Sequence, residues 1–206
     1  MSDHDLVRLH WPAEHRPAFD ALLAIDAAMG EVVSSSTQPA LGTIRLAWWR
    51  EALERLDGGP PPPEPRLKAV AAHLFPRGVT GAMLAELEDG WATLLEEEPD
   101  IDRVGKRGAA LFAIGARMLG GEDPMLAIAG RLFAMSQLIR RNLPVTGAAA
   151  EVEALAGHAF SRRLRPLTAL ARLAARDMRH LPGVEPEATP GRAAALLSHR
   201  LFGRVA

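Results

Sequence analysis

The chain has 206 residues, 48% of them hydrophobic and 24% charged, the length of one domain and a balance that can bury a core, which excludes wholesale disorder. Lys and Arg number 24 and Asp and Glu 25, a net charge of −1, so no global field draws the protein to nucleic acid. The absence of cysteine excludes disulfide scaffolds, thiolate zinc sites and cysteine nucleophiles.

The N-terminal run Met1, Ser2, Asp3, His4, Asp5 is acidic and no apolar stretch follows it, unlike a secretory signal. The longest apolar stretches, 108–114 and 125–130, are cut by Arg117 and Arg131 and fall short of the ~20 residues of a membrane span. The expectation is a soluble, cytoplasmic chain, with peripheral contact at the inner membrane left open.

Tyr is absent and Ala, Leu and Arg dominate, which favours helix over strand. Phe19, Leu22, Leu23, Met29 and Val33 keep helical spacing up to the Ser34–Thr37 cluster. A second helix is expected over 39–56, with Leu41, Ile44, Trp48 and Leu56 near one face. The proline run within 57–65 cannot be helical and predicts a stiff, exposed connector. Thr80 caps an expected helix running to about residue 97, and another spans 100–119 before Gly120 and Gly121. Pro124 behind Asp123 opens one to about residue 142; residues 148–180 read as helical with a kink at Pro166; Thr189 and Pro190 start the last helix, over 193–201. No internal repeat or second domain is evident, so residues 1–206 are expected to form one all-α domain with 57–65 as a loop inside it.

Charge is unevenly distributed. Residues 1–130 carry 12 basic and 20 acidic side chains, and residues 131–206 carry 12 and 5. Either the molecule is dipolar or the two sets meet on a common surface.

Chemistry-bearing patterns are few. The seven histidines are scattered, with no i, i+4 pair of the kind that binds metal on a helix. Glu86, Asp89 and Glu96 share one face of a continuous helix, which a magnesium ion or plain solvent can occupy. The adjacent Trp48 and Trp49 point about 100° apart on a helix, so one is expected in the core and the other along a groove or helix seam.

Four ordered segments carry a resemblance. The first is 12–18 with 22–26. The second is Leu41-Gly42-Thr43-Ile44-Arg45-Leu46-Ala47-Trp48-Trp49-Arg50-Glu51-Ala52-Leu53. The third is Gly105-Lys106-Arg107-Gly108-Ala109-Ala110-Leu111-Phe112, and the fourth is 130–140, with Gln137 and Arg140. Together these look like the squalene/phytoene synthase family. The resemblance implies an isoprenoid-synthase-like all-α bundle of about seven to nine helices around a central cavity, shortened at its C-terminal end relative to the active enzymes. Those enzymes join two prenyl diphosphates head to head, with magnesium held by two aspartate-rich motifs on facing helices.

Mapped onto this chain, those motifs are lost. D-x-x-x-D falls on Gly30 and Ser34, leaving Glu31 between them, and Asp26 cannot substitute because i and i+5 lie about 140° apart on a helix. D-x-x-E-D falls on Arg141, Pro144 and Val145, and no acidic residue occurs from 130 to 150. The resemblance is therefore to the family's degenerate, non-catalytic members, a group that includes an assembly factor of respiratory complex I. It implies no catalytic residue, no metal and no cofactor, and a partner among prenyl or lipid ligands, a peripheral membrane surface or a membrane complex under assembly, with no nucleic acid.

The cavity or ligand candidates are Glu31, Arg45, Trp48, Trp49, Gly108, Gln137, Arg140 and Arg141, with Arg140 and Arg141 as head-group cations. Membrane contact rests on residues 158–180. Phe160, Leu164, Leu167, Ala171, Ala174 and Met178 form an apolar stripe there among six arginines, which serves equally to pack a helix on its own bundle. Two alternatives stand beside this reading. One is an active head-to-head synthase whose magnesium ligands are Glu31 and the 86–102 segment; the other is a helical adaptor with a filled core.

Overall fold

The computed structural model describes residues 2–143 and 148–206, and among these it holds eleven α-helices, short 3-10 turns and no strand. Seven helices have nine residues or more: α2 (Arg16–Ser35), α3 (Pro39–Leu56), α4 (Pro65–His73), α7 (Ile101–Leu119), α8 (Leu126–Ile139), α10 (Arg165–Arg179) and α11 (Pro190–Phe202). The others, α1 (Asp3–Arg8), α5 (Gly81–Ala85), α6 (Leu87–Ala92) and α9 (Ala148–Ala154), are one or two turns long. The all-α expectation holds, and no helix is long and apolar enough to cross a membrane among the described residues.

Helix starts follow local chemistry. The Thr80 and Thr189 hydroxyls accept from the Met83 and Arg192 amides, and the Asp100 carboxylate accepts from the Asp102 amide, each satisfying a donor with no partner inside the helix. Proline occupies the first turn of α2, α3, α4, α10 and α11, where its missing N–H costs nothing. Gly120 and Gly203 end α7 and α11 at positive φ, the left-handed turn that favours glycine.

Four expectations need correction. The stretch after Thr80 is broken into α5, α6 and a 3-10 turn over Thr93–Leu95. There Asp89 and Glu96 both turn onto Arg103, at 2.7 and 2.5 Å, so they do not form an open carboxylate face. α8 begins at Leu126, two residues after Pro124, because Asp123 accepts from the Met125 amide in a preceding turn. Pro166 does not kink a long helix. It opens α10, and turns with an isolated bridge between Ala159 and Arg204 separate α10 from α9. On α3 the buried face is Gly42, Leu46, Trp49, Ala52, Leu53 and Leu56, whereas Leu41, Ile44 and Trp48 face solvent.

α7 and α8 make the most extensive helix pair, α10 packs on α8 and α11, and α2 lies against α3, α4 and α6. The α7–α8 crossing is set by two glycines. A Cβ on Gly108 would lie 2.1 Å from the Gly130 carbonyl oxygen, and one on Gly130 would lie 2.2 Å from that of Gly108. Only hydrogen side chains allow the two backbones to meet this closely. The apolar stripe of 158–180 is turned inward. Phe160, Leu164, Leu167, Ala171 and Ala174 are buried, so this stripe packs the helix on its own bundle.

The two charge-biased halves of the chain also meet. Asp3 pairs with Arg192, and Asp102 with Arg131.

Candidate functional site

α2, α8 and α10 enclose a cavity of about 610 Å³, within the range of small-molecule sites. Helical periodicity puts Leu23, Ala24 and Ala27 of α2 on one wall, Phe133 of α8 on a second, and Leu170, Leu173 and Ala174 of α10 on the floor. Ala27 and Arg141, both exposed, mark the mouth.

The first polar cluster of the wall centres on Asp26, which is 1% exposed. Its carboxylate accepts from the Trp91 indole N–H at 2.9 Å, from the Arg107 guanidinium, and from Gln137 Nε2 at 3.4 Å. Arg107 also donates to Gln137 Oε1 at 2.7 Å and lies 3.9 Å above the Trp91 ring. A carboxylate and a guanidinium removed from water are tolerable only when paired and hydrogen-bonded in this way.

The second cluster centres on Asp177, also 1% exposed. Arg140 donates to both of its oxygens at 2.8 Å, and Arg192 donates to Oδ1. Arg192 further holds Asp3 from α1 at 2.6 Å, and Asp3 accepts from the Ala188 amide at 2.9 Å. Nearby, Arg176 grips Glu185 and holds its carboxyl down at about 2. These contacts tie α1 and the start of α11 to the lining of the cavity.

The sequence-derived candidates divide accordingly. Gln137, Arg140 and Arg141 line the cavity together. Glu31 lies outside it and binds Arg66 of α4 at 3.0 Å, and Arg45, on the surface, donates to Ser35 at 3.2 Å. Trp49 is core at 7% exposure while Trp48, edge-on to it at 5.1 Å, is 46% exposed, and neither reaches the cavity. Gly108 serves the α7–α8 crossing.

The two proposed head-group arginines differ. Arg140 is spent on Asp177, whereas Arg141 has no carboxylate within salt-bridge distance among the described residues. Arg141, just beyond α8, donates to the Gln137 carbonyl of that helix, 3.0 Å away, and lies 4.9 Å from the centre of the Trp91 ring. Although the residue as a whole is exposed, desolvation of the guanidinium where it lies over Trp91, and then the neighbouring Arg107, lower its pKa from the ordinary value, with Asp26 acting in the opposite sense. It is a cation that feels the Asp26 carboxylate through space but bonds to no carboxylate among the described residues.

Sequence reasoning missed Asp26, Trp91, Arg107, Asp177, Arg192 and Asp3 as site residues. The available signal was a lone aspartate amid apolar neighbours, Ile25 and Ala27–Met29 around Asp26; such a residue, if buried, requires a cation. Asp177, next to Arg176, gives no such signal.

The positions to which the resemblance assigns magnesium do not fit that ion. Gly30 offers no ligand, and a Cβ built on it would stand 2.9 Å from Trp91 and 3.0 Å from the Arg141 guanidinium. The Ser34 hydroxyl donates to the Glu31 carbonyl at 3.3 Å, and Arg141 is itself cationic. Pro144 and Val145 lie outside the described residues. Five carboxylates do line the cavity, Asp3, Asp20, Asp26, Asp177 and Glu187, but each has an arginine within 4 Å. Among the described residues no three His, Asp or Glu side chains are placed to share a metal ion. Comparison of the chain with protein-family models, curated proteins and solved structures finds no match.

Proposed function

We propose that the chain is a squalene/phytoene synthase-like bundle that retains a cavity for an isoprenoid or lipid tail and binds it without transferring a prenyl group. The observation that carries this reading is a hollow with an apolar floor between α2, α8 and α10, with a guanidinium at its mouth, Arg141, that bonds to no carboxylate among the described residues. Leu23, Phe133, Leu170 and Leu173 take up an apolar tail by removing it from water. Ionising a prenyl diphosphate requires several cations to meet the developing charge. Here the cavity's carboxylates are turned onto arginines, so their oxygens hold the bundle together. An active synthase using Glu31 and the 86–102 segment is disfavoured for the same reason, since Glu31, Asp89 and Glu96 are engaged by Arg66 and Arg103. A filled-core adaptor has no use for a cavity of this size.

The test pairs turnover with binding. Purified protein incubated with radiolabelled farnesyl and geranylgeranyl diphosphate and magnesium is expected to form no condensed product. A farnesyl-tailed fluorescent probe is expected to bind at one site per chain, and Ala27→Trp, which blocks the mouth, is expected to abolish that binding. Condensed product that disappears in Glu31→Ala would overturn the proposal, as would probe binding unaffected by Ala27→Trp.

A further inference from the structure

We infer that the cavity selects an amphiphile whose head carries a single negative charge, and discriminates against a diphosphate head. This rests on the proposed tail-binding function and goes beyond it by assigning the chemistry of the head.

The argument is a charge inventory of the lining and of the groups that touch it. The carboxylates are Asp3, Asp20, Asp26, Asp177 and Glu187. Asp20 is met by Arg8 at 2.8 Å and Asp26 by Arg107; Asp3 and Asp177 share Arg192 and Arg140, and Arg140 reaches Glu187 at 3.9 Å. Arg8, Arg107, Arg140 and Arg192 serve these five carboxylates, Arg176 serves Glu185 beside them, and Arg141, which brings the set to neutrality, is the lining guanidinium that hydrogen-bonds to no carboxylate among the described residues. A head with one negative charge placed on Arg141 gives that cation a partner and leaves the rest of the lining as it is. Each additional charge would face Asp26 and Asp177 with no cation to meet it, in a site partly shielded from water, where like charges repel most.

Geometry gives the same orientation. Arg141 stands at the mouth and Leu170, Leu173 and Ala174 form the floor, so tail-inward, head-outward is the one placement that satisfies both. Gly30 lets Arg141 hold this position, because any larger side chain there would press on its guanidinium and on Trp91. A carboxylate head and a phosphodiester head share the required chemistry, and matched ligands tell them apart.

The experiment is calorimetric titration of the full chain, without magnesium, with farnesol, farnesoate, farnesyl methyl phosphate (a phosphodiester on the same tail) and farnesyl diphosphate. Farnesoate or farnesyl methyl phosphate is expected to bind about tenfold tighter than farnesol, the scale of one charge-assisted hydrogen bond, and tighter than farnesyl diphosphate. Whichever of the two singly charged ligands ranks first identifies the head. Arg141→Gln is expected to remove that advantage and leave farnesol unchanged. Diphosphate binding tightest, or a charge preference that survives Arg141→Gln, overturns the inference while the tail-binding function stands. Failure of every ligand, farnesol included, overturns the tail-binding function and this inference with it.

Discussion

Gly30 on α2 and Arg141, just beyond α8, face each other so closely that a methyl group on the first would come within 3.0 Å of the guanidinium of the second. The pair makes physical sense as a unit. The same methyl group would stand 2.9 Å from the Trp91 ring, and whereas the exposed guanidinium can move aside, the buried indole beneath it cannot.

Gly30→Ala is therefore expected to destabilise the fold, although alanine is the better helix former. Overpacking costs about 1–3 kcal/mol, against a propensity gain of about 1 kcal/mol. Urea unfolding reads the difference. A more stable variant would show that the contact between α2 and Arg141 is not as tight as described.

Asp26 and Arg107 form a buried ion pair whose halves depend on one another. Asp26→Leu alone and Arg107→Met alone are each expected to cost about 3–5 kcal/mol, because each strands a charge without water. The double variant is expected to cost far less than the two together. Additive losses in the double-mutant cycle would mean the two groups are not coupled.

His199 supplies a pH dependence. It is 1% exposed, its Nδ1 bonds the Arg204 carbonyl and its Nε2 meets the Thr168 hydroxyl at 3.0 Å. Burial, the largest influence, holds the imidazole down at about 4, against an ordinary value of 6.5. Between those two values the unfolded chain takes up a proton that the folded one refuses, so stability is complete above the upper value and declines as pH falls towards the lower. The full decline is about 3 kcal/mol. Chemical denaturation across that window should show the loss in the wild type and a shallower slope in His199→Gln. Equal slopes would remove His199 from the account.

Trp48 and Trp49 are adjacent in sequence yet opposite in environment. Trp49→Ala is expected to cost about 3–5 kcal/mol, the usual penalty for emptying a buried aromatic site, whereas Trp48→Ala is expected to stay within about 0.5 kcal/mol of wild type. Melting curves of the two variants that coincide would contradict the burial of one ring and the exposure of the other.

The long helices were legible because their causes are local: apolar spacing, threonine and aspartate caps, first-turn prolines and terminal glycines act over a few residues. The α3 face was misread because Leu41, Ile44 and Trp48 have the spacing of a buried stripe and yet face solvent; apolarity alone does not say which side has a neighbour. Gln137, Arg140 and Arg141 were expected at the cavity from the resemblance carried by 130–141, but nothing local separates the arginine that is spent from the one that is not.

What the amino-acid order determined by itself is the helical class, most of the helix limits and the absence of any acidic residue from 130 to 150. What only the tertiary structure decided is which charges cancel. Asp26 meets Arg107 across 81 residues and Asp3 meets Arg192 across 189, and a Coulomb interaction depends on distance in space and on excluded water, neither of which is written in the spacing of residues along a chain.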